Sequence, residues 1–406
     1  MSVVIVGAGQ AGLQVAASLR EAGYAGSVTL VGEEADLPYQ RPPLSKAYLA
    51  GKTDAAGLAL RAPGFFSEHR IEHRAGIRAT AVDRARREVH VEGASPLPYE
   101  HLVLATGARV RPLPVPGADL EGVHALRSLA DADRLKAALA DAREIAIVGA
   151  GFIGLELAAI CSARGLSVTV IEAAGRPMAR AVSVDTGAFF RDAQAAAGVR
   201  FRFGAGVTAV EGEGGRAVAL ALADGDRLAA DLVLVGIGVI PNEEIAGEAG
   251  LAVGNGIHVD AFLATQDPVV SAIGDCARFP SRFADGAAIR IESVQNALDQ
   301  GRCVAARIAG RPAAYDAVPW FWSDQGPHKL QIAGLPAPGD ESVVRHAETG
   351  FSVFRFRDGR LTGVESVDRA ADHMAARRIL AQAIALTPDQ AADTACDLKA
   401  VAMGRG

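Results

Sequence analysis

The feature that most constrains this chain is a pattern that occurs twice. Residues 3–31 read as an apolar strand (Val3-Val4-Ile5-Val6), a glycine turn, an alanine-rich helix and a second strand ending at Val31. Residues 144–171 repeat it: Ile145-Ala146-Ile147-Val148, another glycine turn, a helix to about Ala163, then Val168-Thr169-Val170-Ile171. Each is a βαβ unit of about 30 residues, and short continuous apolar strands of this kind suit a parallel sheet buried on both faces. At 406 residues the chain has length for two or three domains.

The first turn is Gly7-Ala8-Gly9-Gln10-Ala11-Gly12. In such a turn the first glycine permits the sharp strand-to-helix reversal. The second lets the backbone approach a pyrophosphate, and the third lets helix and strand pack closely. The diphosphate then faces unpaired N–H groups and the positive end of the helix dipole. Glu33 lies about 20 residues on, at the end of the second strand, where an acid accepts from adenosine ribose hydroxyls. The second turn, Gly149-Ala150-Gly151-Phe152-Ile153-Gly154, has the same mechanics, and its strand-end acid is Glu172. A carboxylate there accepts from a ribose 2′-OH and repels a 2′-phosphate, which favours NADH over NADPH. Arg176 and Arg180, just downstream, are the residues that would serve a phosphate instead.

Residues 265–275 indicate which unit holds a flavin. Thr265, six residues, then Ala272-Ile273-Gly274-Asp275 resembles the second FAD signature of two-dinucleotide flavoproteins. In that signature the aspartate leaves the carboxyl end of a strand and accepts from a ribitol hydroxyl. The run returns after the second βαβ unit, so it completes the first domain. FAD is therefore expected on Gly7, Gly9 and Gly12, and NADH on Gly149, Gly151 and Gly154.

A third apolar strand, 102–105, leads into Thr106-Gly107-Ala108 and then Pro112, Pro114 and Pro116, an inter-domain crossing. The run 232–235 before Gly236-Ile237-Gly238-Val239-Ile240-Pro241 reads as the matching return. From about Pro312 the pattern changes to alternating strands, such as 352–356, and one helix near 370–385. The expected layout is an FAD-binding domain of residues 1–109 and 239–311, an inserted NADH-binding domain of 110–238, and a C-terminal α+β domain of 312–406.

Several motifs beyond the glycine turns are specific. They are Arg41-Pro42-Pro43-Leu44-Ser45-Lys46, Ala105-Thr106-Gly107, Gly274-Asp275-Cys276-Ala277, Arg290-Ile291-Glu292-Ser293 and Pro319-Trp320-Phe321-Trp322-Ser323-Asp324-Gln325. On these the chain resembles, over nearly its whole length, the FAD-dependent NADH:ferredoxin reductases of bacterial cytochrome P450 and ring-hydroxylating dioxygenase systems. That group includes the putidaredoxin and rubredoxin reductases. The resemblance implies an α/β fold of glutathione-reductase-like architecture: two Rossmann-like domains, one inserted in the other, plus the C-terminal α+β domain. It implies that Arg41, Lys46 and Thr106 line the FAD, with Lys46 near the reactive face of the isoalloxazine; the other reading of Lys46 is an exposed lysine after a proline turn. Glu156, in the first turn of the NADH helix, either accepts from the nicotinamide carboxamide or is an acid favoured at a helix start. The helix opening at Ser293, with Val294 first, offers N–H groups to the flavin pyrimidine edge, or simply packs. Trp320 and Trp322 sit near the flavin edge by the same resemblance, or are core aromatics.

The implied acceptor is a small [2Fe–2S] ferredoxin, and through it a P450 or dioxygenase. The residues from Asp275 onward carry 16 basic and 16 acidic side chains, so the net charge of −6 falls in the preceding part. Arg290, Arg311, Lys329 and Arg345 are candidate rim charges for an acidic partner. The four cysteines, Cys161, Cys276, Cys303 and Cys396, include no Cys-x-x-Cys pair, which disfavours a dithiol reductase. An NADH oxidase or quinone reductase, and a redox-sensing flavoprotein that acts as an interaction module, are the alternatives. No metal is expected; His69 and His73 share a face if that stretch is helical, but no third ligand lies nearby. The net charge gives no footprint for nucleic acid. No apolar run approaches the ~18 residues of a bilayer span. With the first strand at residue 3 there is no room for a signal peptide, so the cytoplasm is expected.

Overall fold

The computed structural model describes residues 2–404. Its contacts group into two compact units. One holds the chain through Gln40, Ala56–Arg109 and Ile240–Pro319; the other holds Arg41–Ala55, Val110–Val239 and the chain from Trp320.

The first unit is built on a five-stranded sheet in the order Val270–Ala272, His101–Leu104, Ser2–Val6, Ser27–Val31, Ile71–Arg74. All neighbours are parallel, with Val6 opposite Val31 and Leu104. Both faces are covered, which is why the strands read as unbroken apolar runs. On one face Ile5, Leu30 and Val103 pack with residues of the helices Gln10–Glu21 and Val294–Ile308. On the other, Val4, Val6, Leu102 and Leu104 meet a small antiparallel sheet that carries Val82, Val89 and Leu97.

The second unit repeats that sheet with the same relative order: Val123–Ala125, Leu232–Val235, Glu144–Val148, Ser167–Glu172, Arg200–Phe203. Its pairs are also parallel. The edge strand beside His101–Leu104 comes late in the chain, whereas its counterpart beside Leu232–Val235 comes early. That asymmetry is the mark of one unit interrupting the other. The crossing strands Ala108–Val110 and Val239–Pro241 pair as a two-stranded ribbon.

The C-terminal segment forms a five-stranded antiparallel sheet ordered Trp320–Gln325, His328–Gly334, Arg360–Val367, Phe351–Arg357, Glu341–His346. Alternation along its strands feeds two cores. Leu330, Ile332 and Val353 join the core of the second parallel sheet, while Phe354, Phe356 and Val364 pack with Ala376 and Ile379 of the helix Ala370–Gln382. The segment thus belongs by contact to the second unit. So does 41–55: Leu49 is fully buried in the same core, and the Arg41 guanidinium donates to the Arg127 carbonyl at 2.7 Å. Among the described residues no helix is long and apolar enough to cross a membrane.

Candidate functional site

Both glycine turns fold as the spacing requires. Gly7 has φ +110°, and a Cβ there would lie 2.1 Å from the Ala105 carbonyl oxygen; Gly149, φ +106°, would strike the Gly236 oxygen at 2.5 Å. In each unit the first glycine therefore lies against the backbone leaving the neighbouring strand, and the Ala105-Thr106-Gly107 and Gly236-Ile237-Gly238 runs are counterparts. The middle glycines differ in kind. Gly9 has open space where a Cβ would stand, and Gly151 has only the Gly236 oxygen at 4.0 Å. Each caps its helix with no side-chain hydrogen bond. An open cradle, backed by helix N–H groups that no side chain caps, fits a diphosphate.

The strand-end acids are not equivalent. Gly7 N donates to the Val31 oxygen as Gly149 N does to the Ile171 oxygen. By that register Gly32, not Glu33, stands where Glu172 does. The reason is steric, since a Cβ at Gly32 would come 2.6 Å from the Ala8 Cβ. Glu33 is one residue further out, exposed and 3.6 Å from Arg78. Glu172, by contrast, is fixed on its own turn, accepting from Ala150 N and Ala174 N at 2.8 Å each. Two carboxylate lone-pair directions remain for a ribose diol. Arg176, read from sequence as a possible phosphate ligand, donates instead to the carbonyls of Pro177, Ala179, Val182 and Ser183. Burial lowers its pKa from the usual guanidinium value. Arg180 is exposed.

Asp275 sits in the 3-10 turn Gly274–Cys276 directly after the strand Val270–Ala272. Thr106 donates its hydroxyl to the Asn242 carbonyl at 2.5 Å, and Asn242 returns two bonds to residues 106–107. Ser293 caps the helix that begins at Val294 by accepting from Asn296 N.

Glu156 occupies a tightly built polar position in the second unit. It is 2% exposed, and its carboxylate receives Lys46 Nζ at 2.8 Å, Ser45 Oγ at 2.5 Å and Ser323 Oγ at 2.7 Å. Glu156, expected either to accept from a nicotinamide carboxamide or to be an acid at a helix start, lies beyond the first turn of the helix Phe152–Ala163, and its three protein donors leave one carboxylate lone-pair direction open. Lys46 is likewise no loose surface lysine, with 19% of its side chain exposed. Sequence spacing gave no sign of Ser45 and Ser323, which lie 111 and 167 residues from Glu156.

Along the strand Trp320–Gln325, Phe321 meets Phe152 edge-on at 4.4 Å and Ser323 reaches Glu156, both within the second unit. Trp320 and Trp322 are on the opposite face, 5.8 Å apart. Arg377 lies 4.4 Å over the Trp320 ring, a cation the sequence analysis missed. Two candidate rim charges are removed. Arg345 is 7% exposed and donates to four carbonyls between Ala391 and Cys396; the Arg290 side chain is 10% exposed and bound to Glu292 and the Asp275 carbonyl. Arg311 and Lys329 stay exposed. His69 and His73 share no helix, because the helix Gly64–Glu68 ends before them and His73 lies in the strand Ile71–Arg74. The four cysteines are free; burial pushes the Cys161 thiol up to about 11 and raises that of fully buried Cys276.

Comparison with known proteins agrees with this geometry. Residues 1–301 match the family model described as pyridine nucleotide-disulphide oxidoreductase, and residues 320–402 match the reductase C-terminal model. The chain is 51% identical to rhodocoxin reductase of Rhodococcus erythropolis, over 98% of this chain and 94% of that one. It is 39% identical to putidaredoxin reductase of Pseudomonas putida, over 98% and 96%. The crystal structure of the ferredoxin reductase for the CYP199A2 system from Rhodopseudomonas palustris superposes with a TM-score of 0.96 at 49% identity, covering 99% of each chain. Doubled glycine turns on parallel sheets, an antiparallel C-terminal sheet and matches across nearly the full length place this chain in the pyridine nucleotide-disulphide oxidoreductase family.

Proposed function

We propose that the chain is a flavoprotein reductase that takes electrons from NADH and passes them to a small [2Fe–2S] ferredoxin serving a cytochrome P450 or ring-hydroxylating oxygenase. The observation that carries this reading is two dinucleotide cradles in one chain whose cysteines are all free and, at Cys161 and Cys276, buried. No Cys-x-x-Cys pair is present to take the electrons gathered here, which favours an acceptor outside the chain. Bound FAD would supply the conversion between a two-electron hydride and single electrons, which nicotinamide does not readily perform.

The residues divide the work. Gly7, Gly9 and Gly12 hold the FAD diphosphate, Glu33 its adenosine ribose, and Asp275 the ribityl chain, with Arg41, Thr106 and Val294 as further contacts. Gly149, Gly151 and Gly154 hold the NADH diphosphate. Glu172 takes the 2′-OH of its ribose, and Arg176, locked on four carbonyls, is not available to a 2′-phosphate. Glu156 holds Lys46 in place through their ion pair, and a fixed cation beside an electron-rich ring favours its reduced state. Trp322 belongs to the electron exit, with Arg377 over neighbouring Trp320 giving that face a positive charge suited to an acidic partner. By ligand the chain then divides as FAD-binding (1–109, 239–311), NADH-binding (110–238) and C-terminal (312–406). The cytoplasm, where thiols stay reduced, is the compartment that suits four free cysteines.

The test is steady-state NADH oxidation by purified, FAD-loaded protein with a [2Fe–2S] ferredoxin, a quinone or oxygen as acceptor. The ferredoxin is expected to be reduced fastest. Faster turnover with oxygen or quinone would make the chain an oxidase or quinone reductase instead.

A further inference from the structure

The helix Val294–Ile308 does more in the first unit than cover the sheet. Gln300 on that helix is fully buried, and its side-chain oxygen accepts from Gly274 N at 2.7 Å. Gly274 has φ +74°, a conformation that side-chain-bearing residues rarely adopt, and a Cβ there would press on the Ala11 Cβ at 3.2 Å. The next residue is Asp275. The following helix residue, Gly301, lies against the first glycine-turn helix: a Cβ there would come within 2.9 Å of the Gln14 Cβ and 3.1 Å of the Ala11 oxygen. The Gln300–Gly301 step therefore touches both the turn that carries Asp275 and the first turn of the helix that opens at the Gly7–Gly12 loop.

Packing alone does not call for a glutamine here. Its Nε2 is buried with no hydrogen-bond partner among the described residues, an arrangement that costs free energy. A methionine would fill much the same space without that burden. What the glutamine adds is the acceptor on Gly274 N–H. We propose that Gln300 is a positioning residue of the FAD site, fixing the Gly274–Asp275 peptide so that the Asp275 carboxylate meets the ribityl chain. This rests on the FAD assignment above.

Gln300→Met tests it, with apo-protein titrated with FAD by flavin fluorescence and, separately, with ADP as a competitor of FAD. ADP carries the adenosine and diphosphate but no ribityl chain. The variant is expected to fold, to bind FAD on the order of tenfold more weakly, the size of one weakened charged hydrogen bond between Asp275 and the ribityl chain, and to compete with ADP as wild type does. In an Asp275→Ala background the same substitution is expected to cost no further FAD affinity, because the two act through one contact. Equal loss toward FAD and ADP, unchanged FAD affinity, or additive losses in the double variant each overturn the proposal. If Gln300→Met does not fold, Gln300→Leu replaces it; failure of both makes Gln300 a core residue and overturns the proposal too. Wild-type protein that binds no FAD would instead overturn the reading of function.

Discussion

Removing the Glu156 carboxylate is the perturbation whose outcome the structure defines best. The carboxylate is 2% exposed and Lys46, its ion-pair partner at 2.8 Å, is 19% exposed. Breaking a buried pair by deleting one partner costs about 3–5 kcal/mol, most of it from the charge left behind. Lys46 retains some contact with water, which lowers that figure, whereas the Ser45 and Ser323 hydroxyls lose an acceptor, which raises it. Glu156→Ala is thus expected to destabilise the second unit by about 3 kcal/mol. Both tryptophans of the chain, Trp320 and Trp322, lie in that unit, so urea unfolding followed by tryptophan fluorescence reports it directly. Replacing both charges, as in Lys46→Met with Glu156→Leu, is expected to recover all but about 1 kcal/mol, since an apolar pair of similar volume often matches a buried ion pair. A Glu156→Ala protein within about 0.5 kcal/mol of wild type, or a double variant as damaged as the sum of the singles, would refute the buried-pair account.

Asp275→Ala removes a charged hydrogen bond worth roughly 1.5–3 kcal/mol, so FAD is expected to dissociate on gel filtration where wild type keeps it; full retention counts against the ribityl assignment. Glu172→Gln is expected to narrow the preference for NADH in kcat/KM, and equal values for both nucleotides in wild type would end that argument. His373 gives a pH dependence. It is 1% exposed, edge-on to Trp320 at 5.7 Å, and burial followed by the Arg377 charge lowers its pKa to about 4. The folded state thus prefers the neutral ring. The stability this confers is complete above the unfolded pKa of about 6.5 and is lost as pH falls toward 4. A His373→Phe variant is expected to flatten that part of the stability-versus-pH curve, and an unchanged slope between pH 6.5 and 4 would show that other groups produce it.

The parts of this molecule that were legible in the sequence are those fixed by local backbone demands. Gly7 and Gly149 announce themselves because no other residue fits a positive φ pressed against a neighbouring carbonyl. The parallel sheets follow from strands apolar on both faces. Convergence was not legible. Ser45, Glu156 and Ser323 come from three distant segments and meet only when the C-terminal sheet packs on the second parallel sheet. Glu33 and Glu172 look alike at the ends of their strands, and only the register shows that a side chain at Gly32 would collide with Ala8. Arg345 and Arg290 read as surface charges because sequence records a charge but not the carbonyls and carboxylate gathered around it.

The interruption of the first sheet has a consequence during synthesis. Its outermost strand pairs through Val270 with Leu102, so that contact spans 168 residues. At translation rates of about 5–20 residues per second, Leu102 leaves the ribosome on the order of ten to thirty seconds before its partner exists. During that interval the apolar edge of His101–Leu104 has no neighbour on that side, while the strands of the inserted sheet, Glu144–Val148 through Leu232–Val235, are already complete. The insert can therefore reach its native pairing first. An open apolar strand edge of this kind favours misassociation until its partner strand arrives.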